Sequence, residues 1–158
     1  MKIPIKTQKG TINITERLKE LNRTENCAVL ATLNNGHPYT SLVNFAFTPD
    51  YRAVLFATPK ATSKYRNILK MQSVALLIDN RTKSAQNLMD LEAVTILGTA
   101  HPVKRGNRWE DLAKIYIEKH PILEEFVRSP TTALIIVNIK RCIHVSKFQS
   151  ISVWDAQA

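Results

Sequence analysis

From Cys27 to Leu33 the chain is almost continuously apolar, and Asn34-Asn35-Gly36-His37 ends the run. An apolar run closed by an Asn-Gly pair predicts a strand entering a tight hairpin. Tyr39 to Phe47 reads as the returning strand, Thr48-Pro49-Asp50 as a second turn, and Arg52 to Ala57 as a third strand. The three form an antiparallel meander. Further strands are predicted over 73–78, 91–103 and 131–145, followed by a tail carrying Phe148, Ile151, Val153 and Trp154. Gly98 interrupts the 91–103 strand, which marks a bulge or a close backbone approach.

Helical spacing shows in four places. Thr15 to Leu21 reads as a short amphipathic helix with Thr15 as its cap, and Leu18 and Leu21 share a face. Residues 63–71 make about two turns and turn Tyr65, Ile68 and Leu69 to the core. Residues 109–120 form a longer helix with Leu112, Ile115 and Tyr116 on one side, and Pro121 opens a further helical turn. Residues 79–89 are polar and irregular. Short strands joined by tight turns point to a closed or nearly closed antiparallel barrel. Strands apolar on both faces fit a wall lined by core inside and by helices or a second subunit outside.

Composition narrows the class. The chain of 158 residues, 44% hydrophobic, is long enough to bury one core. We read it as a single domain over 1–158: an N-terminal segment and helix at 1–24, a barrel core at 26–103, helices at 107–128 and C-terminal strands at 131–154. No apolar run reaches the ~20 residues of a membrane span, and the first residues lack a signal peptide's apolar stretch. The expectation is a cytoplasmic protein with no membrane partner. Cys27 and Cys142 stand alone in apolar stretches and read as small buried hydrophobes. The four histidines form no metal-ligand spacing, so no metal is expected.

The net charge is +9. That excess suits nucleic acid, an anionic membrane or an anionic small ligand. Its placement separates these. Lys60, Lys64, Arg66, Lys70, Arg81 and Lys83 cluster against Asp79 alone, whereas the helical region after Arg108 is nearly balanced. Interleaved aromatics and nucleic-acid motifs are missing, so no nucleic-acid partner is expected.

The charge cluster surrounds the most informative stretch, Phe56-Ala57-Thr58-Pro59-Lys60-Ala61-Thr62-Ser63-Lys64. It ends a strand, turns, and opens a helix with two hydroxyls and a lysine. Unpaired N–H groups at a helix start and the helix dipole favour an anion. Thr62, Ser63 and Lys64 add donors and charge. The stretch reads as a phosphate seat; the alternative for Lys64 is an ordinary exposed helix lysine. Asn44 is a polar side chain in an apolar strand and needs partners, from a ligand or from a neighbouring strand.

Taken together, Val29-Leu30-Ala31-Thr32-Leu33, Gly36-His37-Pro38, Ser41-Leu42-Val43-Asn44-Phe45, Leu55-Phe56-Ala57-Thr58, Thr62-Ser63-Lys64 and Gly98-Thr99-Ala100 resemble the FMN-binding split barrel of the pyridoxamine 5′-phosphate oxidase-like proteins, in order and spacing over residues 26 to 103. The resemblance implies a mainly β fold, an antiparallel split barrel of about six to seven strands with flanking helices. It implies a homodimer with FMN in the groove between chains. Ser41, Val43 and Asn44 would border the ring and ribityl chain. Ala57, Thr58, Thr62, Ser63 and Lys64 would hold the phosphate, and the loop around Gln86 and Asn87 would approach the cofactor from the same or the partner chain. Trp154 would cover the flavin or seal the dimer groove, or else pack on its own barrel.

The departures from the family pattern narrow the activity. Ser41 stands where the true oxidases carry arginine. The helix that would grip a substrate phosphate keeps Tyr116 but offers His120 and Glu124, and a carboxylate facing a phosphate is repelled. Ser150 to Trp154 lacks the Arg-x-His segment that completes that substrate site. Oxidation of pyridoxamine phosphate is therefore not expected. The reading is an FMN-dependent oxidoreductase acting on a small molecule or a nicotinamide. The alternatives are a flavin-binding or storage module without turnover, or a deazaflavin-dependent reductase on the same fold.

Overall fold

The structure is a computed structural model and describes residues 6–7, 12–83, 87–147 and 150–156. The elements run in the order β1 (Lys6–Thr7), α1 (Ile14–Thr24), β2 (Cys27–Asn34), β3 (His37–Asn44), β4 (Ala46–Phe47), β5 (Ala53–Pro59), α2 (Ser63–Lys70), β6 (Ser73–Asp79), β7 (Glu92–Pro102), α3 (Asn107–Lys119), α4 (Glu124–Arg128), β8 (Thr132–Ser146) and β9 (Ser150–Asp155). Two of the strands, β1 and β4, are only two residues long. The other seven make the mainly β barrel that the sequence predicts.

The β2–β3 hairpin forms as its Asn-Gly pair demands. Asn35 has φ 50° and Gly36 has φ 80°, the doubly left-handed turn whose twist matches the strands it joins. Val43 and Ala28 then meet across the ladder, as do Ser41 with Leu30 and Tyr39 with Thr32. The predicted second strand does not continue straight to Phe47. It bends at Phe45, whose N–H donates to Asn26 O at 3.1 Å. Beyond the bend, β4 leaves β2 and pairs with β5 through Ala46–Leu55 and Phe47–Val54. The bend turns a flat meander into a wall that curls.

Closure depends on β8. Its first half pairs with β5 on one edge, and its length from Ile135 onward pairs with β7 on the other. Beyond Asn138, β9 takes the place of β5 along the same edge. The pairings thus run β5–β8–β7–β6–β2–β3, and β4 returns the chain to β5. Gly98 sits at the β7 bulge. A side chain there would put its Cβ 2.4 Å from Asn138 O and 2.9 Å from Val137 Cγ1, so the close approach requires glycine.

The interior is filled by alternate residues of every wall strand, among them Leu30, Val43, Phe56, Leu76, Ile96 and Val137, closed by Leu18 and Leu21 of α1 and Ile68 of α2. On the opposite face of β5 and β8, Leu55, Leu134 and Ile136 pack against Trp109, Ala113 and Tyr116 of α3. Two helical faces and one two-sided sheet explain why these strands carry no polar alternation. Helix α1 begins one residue before the sequence reading, with Asn13 rather than Thr15 as cap; the Asn13 side chain accepts from Glu16 N. Cys142 is buried as expected, but Cys27 is exposed. It opens β2 on the outer face and donates its thiol to Asn44 Oδ1 at 3.4 Å. Among the described residues no helix is long and apolar enough to cross a membrane.

Candidate functional site

The geometry that matters begins with an unpaired strand edge. Among the described residues, β3 over 37–44 pairs with β2 alone. Because Phe45 N bonds toward β2, Val43 and Ser41 point their backbone groups the same way. Those of Thr40, Leu42 and Asn44 point to the other edge. Past the short β4 contact, β3 and the second half of β5 have no ladder between them. The backbone edge of β3 that faces residues 56–59 is therefore left without ladder partners, and α2 begins beyond Pro59. Tyr116 reaches this edge from α3 and donates its hydroxyl to Asn44 O at 3.1 Å.

At the α2 corner the predicted residues divide into two groups. Thr58 is fully buried. Its Oγ1 lies 2.9 Å from Thr62 Oγ1, and Thr62 donates to Pro59 O at 2.9 Å and accepts Tyr65 N as the helix cap. These hydroxyls are bonded within the chain and hold the turn. The Ser63 and Lys64 amides have no acceptor among the described residues, as expected for the first turn of a helix. Arg66 folds back over this turn, donating to Ala61 O at 3.0 Å and Ser63 Oγ at 3.2 Å. The sequence reading placed Arg66 only in the charge cluster; its three-residue spacing from Ser63 was the available signal.

Asn67, one turn on, ties the corner to the barrel. Its Nδ2 donates to the buried Thr32 Oγ1 at 3.0 Å, and Thr32 stands opposite Tyr39. That places Asn67 beside Tyr39 in the first half of β3, two residues or about 7 Å along the strand from Ser41. Ser41 Oγ is buried and has no hydrogen-bond partner among the described residues. An orphaned buried hydroxyl costs about 1–3 kcal/mol, which a ligand oxygen could recover. No carboxylate occurs between Thr58 and Lys70. Free amides, unpartnered or cation-facing hydroxyls, an ammonium and a guanidinium without an acid fit a phosphate.

The remaining predicted residues lie elsewhere. Strand alternation turns Ser41 and Val43 inward, whereas Asn44 lies outward beside Cys27. Ala57 packs on the α3 side of β5. Asn87 caps a short turn at Leu88–Asp90 through its own side chain. That turn follows the Asp79 end of β6, about 20 Å from the Ser73 end that α2 adjoins. Gln86 lies outside the described residues. Trp154 stands opposite Cys142 and packs on the core of its own barrel.

Tyr116, His120 and Glu124, at the position of the family's substrate-phosphate helix, bond within the chain. His120 is buried and its Nε2–H donates to Phe45 O at 2.7 Å; burial lowers its pKa. Burial raises the Tyr116 hydroxyl to about 12, so it stays a donor. Glu124 accepts from Arg128 on the surface. Sequence reasoning passed over Lys119. Its ammonium lies 3.7 Å over the Phe45 ring and donates to Asn22 Oδ1 at 3.2 Å, and burial lowers its pKa to about 7. Arg81, counted with the positive cluster, is neutralised by Asp79 at 2.7 Å.

No curated protein matches the chain by sequence. Solved structures share its fold at low identity. The haem binding protein of Mycobacterium smegmatis is 15% identical with a TM-score of 0.80, the match covering 92% of this chain and 59% of that one. The haem storage protein HutZ of Vibrio cholerae is 16% identical with a TM-score of 0.72, covering 88% and 98%. General stress protein 26 of Bacillus anthracis is 13% identical with a TM-score of 0.68, covering 92% and 100%. The family model described as pyridoxamine 5′-phosphate oxidase matches residues 14–146. With most of its length inside that match and a split barrel as its fold, the chain belongs to the pyridoxamine 5′-phosphate oxidase-like family.

Proposed function

We propose that this protein binds FMN and works as a homodimeric oxidoreductase on a small molecule or a nicotinamide. One observation carries the reading: the α2 corner offers unpaired Ser63 and Lys64 amides and the Lys64 and Arg66 cations with no competing acid, and Ser41 of β3 keeps an orphaned hydroxyl. The phosphate would sit there. The unpaired edge of β3 would receive the ring edge, where backbone groups of Thr40 and Leu42 alternate donor and acceptor. When bound, FMN supplies the hydride and electron transfer. The chain's part is to seat and orient it. Tyr116 already bonds one end of that edge through Asn44 O.

The homodimer is supported by the outer face of β2, β3 and β6. Leu42, Val29 and Leu77 stand in one row across it, with Ala31, Ala75 and Leu97 in the next. Leu42 is 67% exposed. An apolar sheet face of this extent is the usual mark of a protein partner.

A visible spectrum of the freshly purified protein tests the reading. Flavin bands that bleach on adding NADH support the oxidoreductase. Flavin bands that never bleach, with nicotinamide or any small reductant, would leave a storage module. A colourless protein that takes up deazaflavin but not FMN would select the deazaflavin alternative. The haem-binding relatives supply one further reading, which a Soret band would select. Against it, the buried histidines are committed, His120 to Phe45 O and His144 to Glu92. Lys64→Ala should weaken FMN by roughly 1.5–3 kcal/mol, the range for a hydrogen bond to a charged group. Unchanged affinity by fluorescence titration would remove Lys64 from the site.

A further inference from the structure

We propose a second anion site, distinct from the α2 corner: a groove between α3 and the β7–α3 turn that takes a small phosphorylated ligand with an apolar body. Its head lobe has a volume of about 430 Å³ and is lined by His101, Lys104, Asn107, Arg108 and Asn138, over Val103 and Ile136. A second lobe of about 420 Å³ shares Arg108, Ile136 and Asn138 and continues over Leu112 and Ile115 to Arg52.

Three features point to this ligand class. First, the cations here are uncommitted. Arg17, Arg23, Arg81, Arg128 and Arg141 each hold a carboxylate. Lys104, Arg108 and Arg52 hold none among the described residues. Arg105 is the fixed wall: its guanidinium lies 3.9 Å over the Trp109 ring and donates to Ser129 O at 2.8 Å. Second, acid is nearly absent. The one carboxylate on the lining, Asp50, is at the far lip and accepts from Thr48 Oγ1 at 2.7 Å and Arg52 N at 3.0 Å. Third, the lobes differ in kind. The head lobe gathers donors, to which the Asn107 and Arg108 amides add, because Gly106 at the cap position has no side chain to satisfy them. The second lobe is floored by aliphatic side chains. A pocket with a polar head and an apolar floor selects an amphipathic anion.

The groove is not part of the α2 corner. It adjoins the Ala53 end of β5, whereas α2 follows the Pro59 end. Six residues of strand put the two about 20 Å apart.

The test titrates 1-naphthyl phosphate, inorganic phosphate and 1-naphthol into the full chain at low salt. Calorimetry gives affinity, and amide NMR shifts give location. We expect 1-naphthyl phosphate to shift the Gly106, Asn107 and Arg108 amides and to bind at least tenfold more tightly than either other probe. The exposed double variant Lys104→Ser, Arg108→Ser should weaken it at least tenfold, with circular dichroism unchanged. Shifts confined to Ser63 and Lys64 would overturn the proposal, as would equal binding of 1-naphthol or an unaffected double variant. A hexaglutamate peptide moving the groove amides where 1-naphthyl phosphate does not would overturn it in favour of a protein partner.

Discussion

Replacing Glu92 with glutamine removes one charge from the inside of the barrel and little else. Glu92 opens β7, and its side chain is 9% exposed. Arg17 of α1 grips it with both Nε, at 2.8 Å, and an Nη. The buried His144 of β8 donates Nε2–H to it at 2.7 Å. Three elements distant in sequence thus meet on one carboxylate. Burial by itself would raise the Glu92 pKa, but the His144 and Arg17 hydrogen bonds outweigh it and bring the value from an ordinary 4.5 to about 2. At 1.36 kcal/mol per pH unit, that displacement is worth about 3 kcal/mol. The folded-state pKa is depressed, so the stabilisation is full above about pH 4.5 and is lost as the pH falls toward 2. Glutamine keeps the shape and an acceptor for His144 but cannot ionise. Urea unfolding of both proteins, followed by the fluorescence of buried Trp109, should show the variant about 3 kcal/mol less stable at pH 7. The difference should shrink toward zero by pH 2. A gap that stays constant with pH, or one under about 1 kcal/mol at pH 7, the level of an exposed pair, would refute the reasoning.

Gly98→Ala forces a Cβ onto Asn138 O at 2.4 Å. A backbone oxygen cannot rotate away, so the loss should be about 3 kcal/mol, or roughly 6–12 °C in Tm for a chain of this size; a melt within 2 °C of the parent would contradict it. Leu42→Lys places an ammonium on the proposed dimer face. The mass by light scattering should fall from two chains to one while circular dichroism is retained, and a dimer that persists would move the interface elsewhere.

Much of the fold could be read along the chain because it is locally encoded. The Asn35-Gly36 turn needs two left-handed residues and has them. Helix α2 shows its buried face through Tyr65 and Ile68, although Leu69, which the spacing also turned to the core, is 53% exposed, and Gly98 announced the close approach that the β7 bulge makes. The α2 corner was legible as a local unit for the same reason, since strand end, turn, cap and first helical turn are consecutive. Its division of labour was not. Which hydroxyls are spent on the turn, as in Thr58 and Thr62, and which face outward is decided by hydrogen bonds that the residue types alone do not assign. Cys27 misled because an apolar neighbourhood does not tell which face of the strand is covered. The bonds of Tyr116 and His120 were not legible because their partners are backbone carbonyls, which every residue has.

By itself, then, the sequence determined the strands, the helices, the hairpin and the corner at α2, all set by preferences acting within a few residues. Only the tertiary structure decided the bend at Phe45, the closure through both edges of β8, the edge of β3 left without a ladder, the orphaned Ser41 hydroxyl and the groove at Lys104 and Arg108. Each of these depends on which distant segments come to lie side by side, and that is settled by the shared burial of the whole core.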